Sequence, residues 1–133
     1  LDKKLLDQYS QHVTFIDDYL SVEKLSQLIH ASKFVVCPYR EATQSGVLMT
    51  AFAMGKTVLA TKIGAFPEYI SDGVNGMLAN ADAQSIANGM QSMLKSNRYL
   101  GLEQNIKLGY SNSDSINNAN TLMQVYHAFE TVN

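Results

Sequence analysis

Between residues 38 and 47 the chain reads Pro38-Tyr39-Arg40-Glu41-Ala42-Thr43-Gln44-Ser45-Gly46-Val47. This polar segment follows an apolar β-type run and leads into a helix-forming one. The first turn of any helix presents backbone N–H groups without intrahelical acceptors and the positive end of the helix dipole, a combination suited to phosphate. Gly46 removes a side chain where a phosphate needs close approach. Thr43 and Ser45 add hydroxyls, and Gln44 adds an amide. The same residues also suit an ordinary helix cap in which Ser45 serves only its own helix. Local chemistry leaves both readings open.

Other candidates have simpler explanations. In Gly64-Ala65-Phe66-Pro67-Glu68, Glu68 sits where a carboxylate favours the start of a short helix. Ser71-Asp72-Gly73-Val74-Asn75-Gly76 holds Asp-Gly and Asn-Gly pairs, which form tight turns. His30 suits a helix end, His12 precedes an expected strand, and His127 sits in the last expected helix. Cys37, within Lys33-Phe34-Val35-Val36-Cys37-Pro38, reads as a packed core thiol. No Gly-x-Gly-x-x-Gly, no Gly-x-x-x-x-Gly-Lys-Ser/Thr and no Gly-x-Ser-x-Gly occurs. No cluster has zinc-ligand spacing, and no motif requires a metal or cofactor.

The elements that must position these residues follow from apolar patterning. Strands are expected at residues 13–16, 34–37, 57–61 and 76–79. Helices are expected over residues 1–11, after a Ser21 cap, over 47–54 with Gly55 as a left-handed stop, and after an Asp82 cap. The apolar face of the second helix is Val22, Leu25, Leu28 and Ile29. That of the last is Ile86, Ala87, Met90, Met93 and Leu94. Ala119, Leu122, Met123, Tyr126 and Phe129 form a further helical stripe, preceded by a polar segment over residues 112–120. Strands alternating with helices predict an α/β Rossmann-like domain, three-layered α/β/α with a parallel sheet. The strands at Val13, Phe34 and Thr57 are expected side by side. A helix at the chain start is unusual for this class. It points to a first strand and a preceding domain outside these residues, and to an exposed apolar edge where they would dock.

With 133 residues the chain suffices for one domain with one core. Hydrophobic residues at 46% and charged residues at 17% place it among globular proteins. A net charge of −2 without a basic block gives no electrostatic support to nucleic-acid binding. A single cysteine excludes an internal disulfide and fits a reducing, cytoplasmic setting. No apolar stretch approaches the ~20 residues of a membrane span.

Taken in order, these motifs resemble the C-terminal, donor-binding domain of GT-B glycosyltransferases of family 4, or group 1. That family's run is a strand, Pro-Ser/Tyr, Glu-Gly-Phe-Gly, a helix with Glu-Ala-Met-Ala-x-Gly, Pro-Val-Ile-Ala, Gly-Gly-x-Pro-Glu and an Asp-Gly-x-x-Gly turn. The counterparts are Cys37-Pro38-Tyr39, Thr43-Gln44-Ser45-Gly46-Val47, Ala51-Phe52-Ala53-Met54-Gly55-Lys56-Thr57-Val58, Gly64-Ala65-Phe66-Pro67-Glu68 and Asp72-Gly73-Val74-Asn75-Gly76. Upstream, residues 13–16 and 22–25 resemble the family's preceding strand and helix, so the likeness covers residues 13–95. The family's two glutamates fall on Ala42 and Thr50, and neither is acidic. The version Ala-Thr-Gln-Ser-Gly-Val is similar to a bacterial subset without them.

The resemblance implies that residues 1–133 are part of a nucleotide-sugar-binding domain. The parent enzyme would transfer the sugar of a nucleoside-diphosphate sugar to an acceptor with retention, in polysaccharide or glycoconjugate synthesis. It implies backbone phosphate binding at Ser45, Gly46 and Val47, with Thr43 and Gln44 beside them. Thr50 is implied as a ribose contact, and Glu41 as a sugar contact if the loop shifts by one residue. The family's Arg-x-x-x-x-Lys segment has no match before Val13, and an acceptor-binding half is expected elsewhere. This chain alone is therefore expected to turn over little, and to self-associate. The resemblance is compatible with a cytoplasmic protein, including one peripheral to the inner membrane. Two alternatives stand beside it: a GT-B nucleotide-sugar epimerase, and a non-catalytic interaction domain.

Overall fold

The computed structural model describes residues 2–41 and 46–109. The elements run α1 (Lys3–Gln8), α2 (Val22–Ala31), β1 (Val35–Cys37), α3 (Gly46–Ala53), β2 (Val58–Thr61), α4 (Phe66–Tyr69), β3 (Met77–Ala79), α5 (Ala83–Leu94) and α6 (Arg98–Leu108), with a 3₁₀ turn at Lys95–Asn97 before α6. Ser21 caps α2 by accepting from the Lys24 N–H, and Asp82 caps α5 by accepting from the Ser85 N–H. Gly55, at φ +74°, ends α3 in the left-handed conformation that glycine adopts without strain. The stripe at 119–129 and the polar segment at 112–120 lie outside the described residues.

The strands form a parallel sheet of order β1-β2-β3, in which Val35 pairs with Val58, Ala60 with Cys37, and Ala60 with Leu78. Side chains alternate across the sheet. Val35, Cys37, Val58, Ala60 and Leu78 therefore share one face. There they pack with Ile29 of α2, Leu48, Ala51 and Phe52 of α3, and Phe66 and Ile70. Leu59 faces the opposite way, toward Gly89 of α5. Helices on both faces give the expected α/β/α layering. All of β2 is buried, as a central parallel strand must be.

One expectation fails. Residues 13–16 form no strand. The Val13 N–H bonds back to the Tyr9 carbonyl, and Val13, Phe15 and Ile16 remain about half exposed. A strand needs a partner's ladder, and no described strand lies beside this segment. The strands at Phe34 and Thr57 are neighbours as expected, and the third place in the sheet belongs to β3. β1 thus ends the sheet, with one edge free of ladder pairing among the described residues.

Candidate functional site

In a parallel α/β sheet, loops at the carboxyl ends of the strands lie together, and ligands bind in the crevice there. Three loops meet at this edge. The one after β1 carries Tyr39, Arg40 and Glu41 and returns at Gly46 into α3. The one after β2 carries Lys62 and Ile63, and the one after β3 carries Asn80. They are tied together. The buried Thr61 hydroxyl donates to the Tyr39 carbonyl at 2.6 Å, and the Lys62 N–H donates to the Ala79 carbonyl at 2.9 Å. The Tyr39 ring stacks on Phe66, with planes 9° apart and centroids at 5.7 Å. Phe66 belongs to the core, so the loop after β1 is anchored from below.

α3 starts at Gly46 on this edge and packs on β1 and β2. Its first turn holds no acidic residue to offset the dipole. Among the described residues, a Cβ on Gly46 would meet nothing within 4 Å, so their packing does not demand glycine here. Val47 turns its side chain into the core, which leaves its backbone, not its side chain, for a ligand. The Thr50 hydroxyl donates to the Gly46 carbonyl at 2.7 Å, one turn back along the helix. Its oxygen keeps its lone pairs for a donor from outside. Glu41 is exposed on the loop before α3. Ala42, Thr43, Gln44 and Ser45 lie outside the described residues. The structure thus brings Gly46, Val47, Thr50 and Glu41 to one edge.

The remaining candidates are structural. Asp72, Gly73, Asn75 and Gly76 build the turn at the amino end of β3, where the Gly73 N–H donates to the Gly76 carbonyl at 2.8 Å. The Asn75 side chain is fully buried; it accepts from the Ser71 N–H at 2.8 Å and donates to the Tyr69 carbonyl at 3.1 Å. Glu68 lies in the first turn of α4 and His30 in the last turn of α2, as expected. Cys37 is buried within the core. Among the described residues no three His, Cys, Asp or Glu side chains are placed to share a metal, and no helix is long and apolar enough to cross a membrane. The Asp82 carboxyl is held below the usual aspartate range by the Ser85 N–H and, next, the Ser85 hydroxyl.

With this geometry in hand, comparison with known proteins is decisive for the family. Residues 1–96 match the family model described as glycosyl transferases group 1. The chain belongs to that family. It is 33% identical over 82 residues to an alpha-maltose-1-phosphate synthase of Mycobacterium tuberculosis, covering 62% of this chain and 21% of the relative. The corresponding enzyme of Mycolicibacterium smegmatis is 30% identical over 78 residues, covering 59% and 20%. The matched stretch is thus about a fifth of the length of these curated relatives.

Solved structures agree on the fold. Sucrose-phosphate synthase from Thermosynechococcus elongatus superposes with TM-score 0.70 at 23% identity, covering 98% of this chain and 34% of that one. The C-terminal domain of a group 1 glycosyl transferase from Francisella tularensis gives 0.64 at 24%, covering 86% and 58%. HepE of Anabaena, solved with UDP-glucose, gives 0.66 at 21%, covering 95% and 36%. The fold of this group 1 glycosyltransferase chain is that of a GT-B C-terminal domain.

Sequence reasoning missed α6 as a distinct element. Ser96 and Asn97 both adopt positive φ, at 54° and 53°, and redirect the chain between α5 and α6. The signal was the Ser96-Asn97 pair, one residue past Leu94 at the end of α5, since Asn tolerates this conformation better than most residues.

Proposed function

We propose that this chain is the donor-binding half of a glycosyltransferase. It would hold a nucleoside-diphosphate sugar with its phosphates at the start of α3, while the sugar passes, with retention, to an acceptor bound by another domain. Polysaccharide or glycoconjugate assembly is the setting this reading favours. The observation that carries it is the placement of Gly46, where a Cβ would meet no described atom within 4 Å, at the carboxyl edge of a parallel sheet in a group 1 glycosyltransferase. The backbone N–H groups of Ser45, Gly46 and Val47 would receive the phosphate oxygens. Thr43 and Gln44 would orient the loop, Thr50 would meet the ribose, and Glu41 would meet the sugar. Donors fixed on a developing diphosphate charge are what such a reaction needs, because breaking the glycosidic bond leaves that charge behind.

The exposed segment at Val13, Phe15 and Ile16 and the free edge of β1 fit the proposal that further strands and an acceptor-binding domain dock there. Isolated, this stretch would then self-associate, and light scattering reads that directly. The functional test is calorimetry of the full-length protein with UDP and GDP, followed by donor turnover with and without candidate acceptors. Binding of one nucleotide with acceptor-dependent turnover is expected. Binding of neither contradicts the donor reading. Epimerisation of the donor sugar without acceptor would assign the same site to an epimerase.

A further inference from the structure

α6 touches the segment that enters each of the three strands. Its Tyr99 ring lies 6.2 Å from the ring of Phe34, directly before β1. Lys107 lies beside Gly55, and the Glu103 carboxylate lies 3.5 Å from the Lys56 ammonium, both ahead of β2. The Asn105 amide donates to the Val74 carbonyl, ahead of β3, at 2.8 Å. Yet the helix is weakly built. Of its residues only Leu102 is buried. Ser96 and Asn97 lead into it with φ of 54° and 53°, a region that disfavours residues with a Cβ, and Asn97 makes no side-chain cap hydrogen bond. Gly101 lies within the helix, where a Cβ would meet no described atom within 4 Å. Glycine there lowers helix stability relative to alanine without a packing reason among the described residues. Gly89 of α5 differs, because a Cβ there would lie 2.8 Å from Leu59 Cδ1. Glu103 Oε1 is buried, and among the described residues no hydrogen bond reaches it. Its 3.5 Å contact with Lys56 is longer than the about 2.7–2.9 Å of a charge-assisted hydrogen bond, and the 2.7 Å bond of Lys56 goes to the Ser32 carbonyl instead.

We infer that α6 is a hinged strap across the amino ends of the sheet, which opens about Ser96 and Asn97 as one unit while β1, β2, β3 and α5 keep their fold. Opening breaks few contacts: one buried leucine, one aromatic pair, one long ion pair and one side-chain hydrogen bond to a loop carbonyl. It also releases the left-handed backbone at Ser96 and Asn97 and returns the buried Glu103 oxygen to water. A helix of this length is marginal in water, so the strap unwinds once it leaves the sheet. Phe34 and Lys56, at the starts of β1 and β2, are then uncovered. The strap lies at the end of the sheet opposite the candidate ligand edge and is independent of the donor reading.

The test is native-state hydrogen exchange of the full-length protein across a denaturant series. Amides of α6 are expected to exchange at least about tenfold faster than those of β2, and with a smaller dependence on denaturant. Gly101→Ala should slow exchange in α6 and β2 alike, by about fivefold, because it stabilises the closed state against both partial and complete opening. Phe66→Leu, in the core at the far end of the sheet, should speed exchange in β2 by about fivefold and leave α6 unchanged, because that core stays intact when the strap opens. Wild-type α6 amides as protected as those of β2, or α6 exchange accelerated in step with β2 by Phe66→Leu, would show that α6 opens only with the whole fold and overturn the strap. Exchange in α6 unaffected by Gly101→Ala would overturn it as well, since the helix would not have unwound on opening.

Discussion

The two ends of the sheet are built on opposite principles. At the amino ends, polar groups are consumed by the fold. Thr57 donates to the Asn75 carbonyl, Asn75 satisfies Ser71 and Tyr69, and Asn105 of α6 donates to the Val74 carbonyl. α6 also carries Tyr99 against Phe34 and Glu103 beside Lys56. At the carboxyl ends, the described loops are braced from beneath by Thr61 and Phe66, yet they leave Lys62 and Glu41 exposed, and no described atom lies within 4 Å of a Cβ built on Gly46. A buried polar group left without a partner costs about 1–3 kcal/mol, so a closed end contributes stability and an open one does not. Turn-forming composition serves rigidity at one end, and at the other it suits the ligand site proposed above.

The contrast predicts that equivalent changes at the two ends have different consequences. The largest effect is expected from Gly76→Ala at the amino end of β3. A Cβ there would lie 2.6 Å from the Val58 carbonyl oxygen and 3.2 Å from Ile70, and backbone cannot easily yield. A loss of about 3 kcal/mol is expected in chemical denaturation, before any effect on ligand. Gly46→Val, at the other end, would set its Cβ within 4 Å of no described atom. It should change stability by no more than about 0.5 kcal/mol yet weaken UDP or GDP by about tenfold or more, because the side chain occupies the phosphate approach. Calorimetry and a melting curve on the same samples separate the two outcomes. A Gly46→Val protein that binds normally would break the comparison.

Much of this contrast was legible in the sequence. The runs at Val35 and Val58 are short, continuous and apolar, and nothing but a buried parallel strand fits them between helical segments. The caps at Ser21 and Asp82 and the stop at Gly55 announce themselves by residue type. The turn at Asp72 to Gly76 reads as structural for the same reason. The segment at residues 13–16 misleads because alternation specifies a strand only if a partner exists, and pairing is not local information. The role of α6 was hidden because it depends on Glu103, Asn105 and Lys107 meeting loops some thirty to fifty residues earlier in sequence, which no window of periodicity contains. The candidate site was legible as a strand–loop–helix passage. Lys62 shares its edge because β1 and β2 run parallel, so the loops that follow them meet.

Smaller effects sharpen the comparison. Ser45→Ala should weaken nucleotide binding by about 1 kcal/mol, the worth of one hydroxyl contact. A titration of the variant against wild type measures this. If the hydroxyl serves only to cap the helix, the loss appears in stability and not in affinity. Asp82→Asn probes the cap of α5 through pH. The native Asp82 carboxyl sits below the usual aspartate range, so its stabilising contribution is complete above that range and is lost as pH falls through it to the depressed native value. The thermal midpoint of wild type should therefore exceed that of Asp82→Asn by more at pH 7 than at pH 3. An unchanged gap would remove the ionised cap from the account.

The most direct test of the central claim is hydrogen exchange of the full-length protein with and without UDP or GDP. Bound donor at the open end predicts slower exchange in residues 38–50 and around Lys62, with residues 71–76 at the closed end unchanged. Protection confined to residues 71–76, with none across 38–50, would contradict the assignment of ligand binding to the carboxyl edge.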